Sequence, residues 1–432
     1  MSGGPAPATL PRILAGVRSH APMALAHHLE LHGALPRFTR GRQSSALLDE
    51  LQRSGLRGRG GAAFPTATKM AAVLAARGRA TVVANGCEGE PASVKDRLLL
   101  ERLPHLVIDG AVLAAQAVDA ADVFITVDEH ARSAAHAIHR ALRERNDVPR
   151  GRLRVRLIAV PPGYLSGQET AVVNFLGGGP AKPTATPPPI FQRGVNRRPT
   201  LVNNVETLAH VALIARHGAG WFRELGSQTD PGSKLVTASG AVVNPGVFEI
   251  EAGAPVASLL NAAGGCTSQL RAFLLGGYAG TWVTAETGYE LTLSSDALAD
   301  VGASLGAGIV LALPSSACPV AEISSVAAWL SAQSAGQCGP CFNGLHAIAT
   351  TLEQLRVGVG GPGALARISR WGALAAGRGS CAHPDGVVRF IRSAIDVFGP
   401  ELAEHSRRGP CPVCLRPRLL STPFATPARA AA

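Results

Sequence analysis

Residues 54–70 read SGLRGRGGAAFPTATKM, and residues 82–97, beyond an apolar spacer, read VVANGCEGEPASVKDR. Gly58, Gly60 and Gly61 stand just before a segment patterned as a helix. Glycines there let backbone N–H groups come close to a phosphate, and a helix start adds a partial positive charge. Residues 81–84 read as a short buried strand that delivers Asn85, Glu88 and Glu90 at its end. Ligands of open α/β sheets lie at that end of a strand. A phosphate cradle beside a polar cluster points to one nucleotide or flavin site. Residues 47–53 are helical in pattern, so this is not the strand-first dinucleotide fingerprint. Gly58, Gly60 and Ala63 satisfy only the weak GxGxxA form.

Working outward, the strands expected at 81–84, 123–127 and 155–160 alternate with helices expected at 105–118 and 129–144. This alternation predicts an α/β fold with a parallel, Rossmann-like sheet covered by helices. PPGYLSGQETAVVNFLGGG (161–179) and PTLVNNVETLAHVALI (199–214) follow, both helical in their apolar parts and joined by a Pro-rich loop. A loop of that length in a compact domain is more often functional than idle. From about Ser233 the pattern becomes strand, a turn at Asn244-Pro245-Gly246, strand, and a short helix ending at Gly264-Gly265. Residues 322–398 are helical in pattern and carry Cys338, Cys341 and Cys381.

At 432 residues the chain has room for two or three domains, and 46% hydrophobic residues make it globular. The formal charge of +11 comes from arginine scattered along the chain, with only 4% aromatic residues and no basic cluster interleaved with them. This argues against nucleic acid and for a face that meets an acidic partner protein. Residues 1–14 are broken by Pro5, Pro7 and Pro11 and are not expected to be a secretory leader. Residues 301–320 lack charge but are broken by Gly302, Gly306, Gly308, Pro314 and Pro319, so a buried strand at 309–313 is expected rather than a membrane span. Five of the eight cysteines follow Gln337, which favours metal or cluster ligation over disulfides.

The quoted motifs resemble those of the flavin-bearing, NADH-oxidising subunit of bacterial complex I and the related diaphorase subunits. That family's patterns are roughly GRGGAGFPTGxKW, NADEGEPGxFKDR, GAYxCGEETALxxSLEG and PTxVNNVETLxxV, in the order found here. The resemblance implies FMN and NADH bound by Gly58, Arg59, Gly60, Gly61, Phe64, Lys69, Asn85, Glu88 and Glu90. Farther along, it adds Tyr164, Gly167, Gln168, Glu169, Asn203, Asn204 and Thr207. Residues 1–42 read as an N-terminal extension, and the resemblance implies a flavin and NADH domain at 43–230 and a β-grasp (SLBB) module at 231–315. It implies an iron–sulfur helical bundle at 316–410, while the Pro- and Ala-rich end, 411–432 with its CxxC pair, reads as a disordered tail.

SAGQCGPCFNG (334–344) resembles the family's SCGxCxPCRxG, with a last cysteine about forty residues on. Cys338, Cys341 and Cys381 match three of the four ligands; Ala335 stands at the remaining place and cannot bind iron. Soft thiolates gathered this way suit an iron–sulfur cluster. Either another donor completes a [4Fe-4S] cluster, with Cys411 or Cys414 folding back as one source, or a [3Fe-4S] form results. The CxxC pair also reads as a small zinc knuckle or as a disulfide formed only on isolation. Cys87, Cys266 and Cys318 read as small core residues.

Several positions depart from the family. Met70, Ala72 and Pro189 stand where aromatics are usual, Cys87 replaces an aspartate, Gln168 replaces a glutamate, and Ala63 and Ala67 replace glycines. The resemblance implies hydride transfer from NADH to FMN and single-electron transfer to the iron–sulfur centre, with no side-chain acid or base as catalyst. The partners implied are NADH and other redox subunits, in the cytoplasm or peripheral to a membrane complex at its inner face. The departures open two alternatives: a ferredoxin-like or membrane-bound donor in place of NADH, or a non-enzymatic structural component.

Overall fold

The computed structural model describes residues 9–17, 21–36, 42–145 and 153–420. Its first sheet has strands β1 (Ala80–Gly86), β2 (Ala120–Asp128), β3 (Arg154–Val160) and β4 (Thr200–Asn204) in the order β3-β2-β1-β4, all parallel. β1 and β2 are buried almost throughout and rich in Ala, Val and Ile, as a sheet covered on both faces requires. The Pro104–Ala117 helix packs on one face and is almost wholly buried, its Gly110 lying against the backbone of Leu208. Because β4 adds on the far side of β1, the strand order reverses between them. A crevice therefore opens at the carboxyl ends of β1 and β4, where such folds hold ligands.

The second sheet is mixed, with order β6-β5-β9-β7-β8. It contains β5 (Ser233–Gly240), β6 (Gly246–Glu251), β7 (Leu270–Leu275), β8 (Thr281–Thr284) and β9 (Ile309–Pro314). β5 and β6 form the expected hairpin around 244–246, and the Val256–Ala262 helix covers the sheet. The uncharged stretch at 301–320 contains β9, and among the described residues no helix is long and apolar enough to cross a membrane.

The helices Pro319–Ala332, Leu345–Arg356, Ala364–Ala375 and His383–Arg408 form a bundle. Its core joins the second sheet through Trp282 of β8, which meets Phe398 edge-on at 5.2 Å. The long last helix breaks regular geometry at Phe398, two residues before Pro400, which cannot donate an N–H and crowds the preceding turn. The N-terminal segment is docked on the body: the Glu249 carboxylate accepts from the N–H groups of Arg12, Ile13 and Leu14.

Two expectations are corrected. Disorder from residue 411 does not hold for 411–420, which turn back along the bundle, Leu419 and Leu420 N–H donating to Glu322 at 2.9 Å. Residues 421–432 lie outside the described residues. Cys318 is not an isolated core residue, since its Sγ lies 3.2 Å from that of Cys414.

Candidate functional site

The glycine loop is closed at its base by the Arg57–Pro65 bridge and by Gly58 N–H donating to Phe64 O at 2.9 Å. It leads into the Thr66–Ala75 helix. A side chain at Gly60 would come within 3.2 Å of Asn204 Cβ, and Gly61 sits at φ +111°, where any side chain is strained. Ala63 holds φ +48°, a left-handed conformation that disfavours a Cβ. Phe64 is 53% exposed at the end of the loop.

Arg59, expected at the cofactor, braces the loop in this structure. Its backbone N–H donates to Thr207 Oγ1 at 2.8 Å, and its buried guanidinium donates to Ser233 O at 3.1 Å and Pro231 O at 3.4 Å. Burial pushes its pKa down, while the nearby carboxylates of Glu206 and Asp230 favour the cation. Thr207 is likewise fully buried as the acceptor of this bond.

At the crevice the register sets Asn85 opposite Asn204 and Ala84 opposite Asn203. Asn85 Nδ2 donates to Gly167 O at 2.8 Å. Gly167 is required there, since a Cβ would come within 2.8 Å of Cys87 O. Lys69 Nζ donates to Val202 O at 2.7 Å and pairs with Glu169. Asn204 caps the helix beginning at Val205, accepting from Glu206 N–H at 2.9 Å, and donates to Asp96 at 2.6 Å. Asn203 is 6% exposed, and its Nδ2 is buried with no partner. A buried amide donor left unpaired is costly. A ligand acceptor at the mouth of β1 and β4 would satisfy it.

Beside this mouth a cavity of about 470 Å³ is lined by Glu88, Glu90, Arg97, His130, Tyr164 and Gln333, among others. Glu88 caps the Lys95–Arg102 helix, accepting from Asp96 N–H at 3.1 Å and Arg97 N–H at 3.0 Å. Burial and the neighbouring Asp96 push its pKa up. Glu90 accepts from Tyr278 N–H at 2.9 Å and Ala92 N–H at 3.3 Å, yet burial outweighs both bonds and pushes its pKa up to about 7. Tyr164 joins the cavity to the bundle. Its N–H donates to Gln333 Oε1 at 2.9 Å, and its ring meets Trp329 edge-on at 5.4 Å and His383 at 5.5 Å. Gln168, expected at the cofactor, uses its side-chain oxygen as a helix cap. Its Oε1 accepts from Thr170 N–H at 2.8 Å and Ala171 N–H at 3.0 Å, capping the Glu169–Leu176 helix. Cys87 packs beside the apolar cluster of Val83, Phe124 and Val172, and burial pushes its thiol up to about 12, so it is a neutral wall.

His383 is two residues from Cys381, so the Tyr164 contact brings the cavity close to the cysteine site. Cys338 and Cys341 sulfurs lie 3.6 Å apart at the Pro340–Gly344 π-helical turn. Burial opposes ionisation of Cys338, but donors from Ser380 and the Cys341 N–H outweigh it and lower its pKa. Cys381 is raised by burial and by the nearby Cys341 and Cys338. Three thiols thus share one neighbourhood, and Ala335, buried, offers no donor there. Cys411 and Cys414 do not fold back to this site; they gather with Cys318 and His405.

Sequence reasoning missed the ionic centre behind the crevice. Lys95 Nζ lies 2.8 Å from both Asp96 and Glu206, all three buried. Burial opposes the charge on Lys95, but the two carboxylates outweigh it and raise its pKa. The signal was present: Lys95-Asp96 and Glu206 sit inside the two quoted motifs, VKDR and VNNVET. Trp329 and Gln333 were also missed, because helical periodicity alone does not say which bundle helix faces the cavity.

Three family models match the chain: the Nuo51 FMN-binding domain over residues 51–213, the SLBB domain over 235–277, and the NADH-ubiquinone oxidoreductase-F iron-sulfur binding region over 321–405. One of the NADH-quinone oxidoreductase F subunits of Rhizobium meliloti is 31% identical over 381 residues, covering 85% of this chain and 90% of that protein. The NADH-quinone oxidoreductase F subunit of Escherichia coli is 32% identical over 374 residues, covering 82% and 83%. Among solved structures, a chain of NAD+-reducing [NiFe]-hydrogenase in the H2-reduced state superposes with a TM-score of 0.77 at 30% identity. That match covers 85% of this chain, which spans 63% of the hydrogenase chain.

Proposed function

The chain belongs to the family of NADH-quinone oxidoreductase F subunits, and from that premise we propose that it oxidises NADH through FMN held at the β1–β4 crevice and passes electrons to an iron–sulfur centre. The observation that carries the reading is the unpaired Nδ2 of Asn203, buried where the glycine loop, β1 and β4 meet. When bound, FMN supplies acceptance of a hydride and release of single electrons.

The residues fit that group. Gly60 and Gly61 keep the loop backbone free of side chains, and Lys69 places a cation between Val202 O and Glu169. Asn203 supplies a donor, and Asn85 holds the 167–169 turn in place. Glu88, Glu90 and Tyr164 line the adjoining cavity, where the dinucleotide is assigned, and Phe64 offers an aromatic face for its base. Cys338, Cys341 and Cys381 are assigned to the iron–sulfur centre, with Tyr164 and His383 between it and the cavity. No side chain need act as acid or base in hydride transfer. Residues 43–230, 231–315 and 316–410 are assigned as flavin, SLBB and iron–sulfur units, acting within an assembly of other redox proteins.

Protein purified anaerobically is expected to be yellow and to bleach on adding NADH. A colourless, folded protein that takes up no added FMN would refute the reading. Bleaching by dithionite or reduced ferredoxin, but not by NADH, would move the donor to a protein partner.

A further inference from the structure

Cys318, His405, Cys411 and Cys414 come from three separate places in the chain, and their ligand atoms all lie within 4.8 Å of one another. The Sγ of Cys414 is 3.2 Å from that of Cys318, 3.6 Å from that of Cys411, and 3.9 Å from His405 Nε2. The His405 ring is buried, its Nδ1 has no partner among the described residues, and its Nε2 faces the sulfur trio. Three of the four residues fall outside the matched iron–sulfur region, which runs from 321 to 405.

We infer that these four residues bind a single zinc ion, separate from the cysteine site of electron transfer. A zinc ion holding thiolates at about 2.3 Å in a tetrahedron spaces neighbouring donors roughly 3.8 Å apart. The observed separations bracket that edge. The donor set, three thiolates and one imidazole, is that of a closed structural zinc site. The fold also prepares it. Cys318 caps the Pro319–Ala332 helix, His405 lies in the last turn of the His383–Arg408 helix, and Gly409, at φ +82°, turns the chain back. Residues 411–414 then form a tight C-x2-C turn, with Cys414 N–H donating to Cys411 O at 3.1 Å. Arg356, held by Glu353, stands within electrostatic range of Cys318 and Cys414 and balances the net negative charge of a zinc tris-thiolate.

The ion staples the end of the chain to the junction between β9 and the bundle. Beyond it Arg418 donates to Ser325 at 2.8 Å, and Leu419 and Leu420 close over Glu322. Zinc has no redox chemistry, so the site stabilises and carries no electrons. Binding releases the thiol protons to solvent.

The test is elemental analysis and zinc K-edge absorption on the full chain, prepared anaerobically with its flavin and iron. The expected result is about one zinc per chain in a shell of three sulfurs and one nitrogen. The double variant Cys411→Ala/Cys414→Ala is expected to lose the zinc and melt lower while keeping its flavin and iron ratio. His405→Cys is expected to keep the zinc in an all-sulfur shell. Folded protein with full flavin but no zinc, a Cys318–Cys414 disulfide, iron in that shell, or zinc retained by the double variant would each overturn the inference. Should the double variant fail to fold, the absorption spectrum of the unaltered protein decides.

Discussion

Phe64, exposed at the glycine loop, is the aromatic face proposed for the base of NADH. Base–aromatic stacking is worth roughly 1–3 kcal/mol. Phe64→Ala is therefore expected to raise the KM for NADH about ten- to a hundredfold with little change in kcat, read by steady-state kinetics. Glu90 makes a second prediction at this scale. Its folded pKa, about 7, stands above the ordinary 4.5 because burial disfavours the anion. A raised folded pKa gives a contribution present below pH 4.5 and lost as pH rises through about 7. The melting midpoint should fall across that window by an amount tied to Glu90, and Glu90→Gln should flatten the descent. An unchanged slope in the variant would show that burial at Glu90 is relieved by other means. At the residue scale, sequence motifs identified Lys69, Asn85, Asn203 and Glu169, which the fold gathers at one mouth. Arg59 and Gln168, named by the same motifs, bond here to the protein's own carbonyls and N–H groups. A motif letter does not say which way a side chain turns.

Among elements, the pairing of β1 with β4 decides the site. Apolar runs made β1 and β2 legible, because strands buried on both faces read as continuous hydrophobic stretches, and the run at 155–160 marked the more exposed edge strand β3. In sequence β4 reads as part of a helix, since Thr200–Asn204 runs directly into the helix starting at Val205. The crevice could thus be placed at the end of β1 but not at the reversal of strand order. The buried Lys95 ties the elements on both sides of that reversal, through Asp96 on one and Glu206 on the other. Removing one partner of such a network leaves buried charge unpaired, at about 3–5 kcal/mol. Lys95→Ala is expected to lower the unfolding free energy by that amount and to release flavin, measured by urea titration and cofactor fluorescence. A change under about 1 kcal/mol would mean the carboxylates protonate or rehydrate easily.

Across the whole molecule, Tyr164 is where the first sheet's crevice touches the bundle that carries the thiols. Its ring lies between Trp329 and His383, and its N–H is held by Gln333. No periodicity in the sequence could place these together, because they meet only after the sheet and the bundle pack against each other. The same holds for Cys318 with Cys414, nearly a hundred positions apart, whose meeting turned the expected loose tail into an anchored one. The proposed iron–sulfur site has three thiols where the pattern it resembles has four, and Ala335 stands at the remaining place. Ala335→Cys is expected to raise the iron-to-flavin ratio and convert a three-iron signal to a four-iron one in electron paramagnetic resonance. An unchanged ratio would show that another donor, such as the Ser380 hydroxyl beside Cys338, already completes the cluster.

Electrons are proposed to enter at the β1–β4 crevice and leave through the thiolates of the bundle. Rapid-freeze electron paramagnetic resonance after anaerobic mixing with NADH tests this most directly. Flavin absorbance is expected to fall and a reduced iron–sulfur signal to rise in the same samples, and Cys341→Ala is expected to keep the first and lose the second. Bleached flavin with no iron signal in the unaltered protein, or an iron signal that survives in Cys341→Ala, would contradict it.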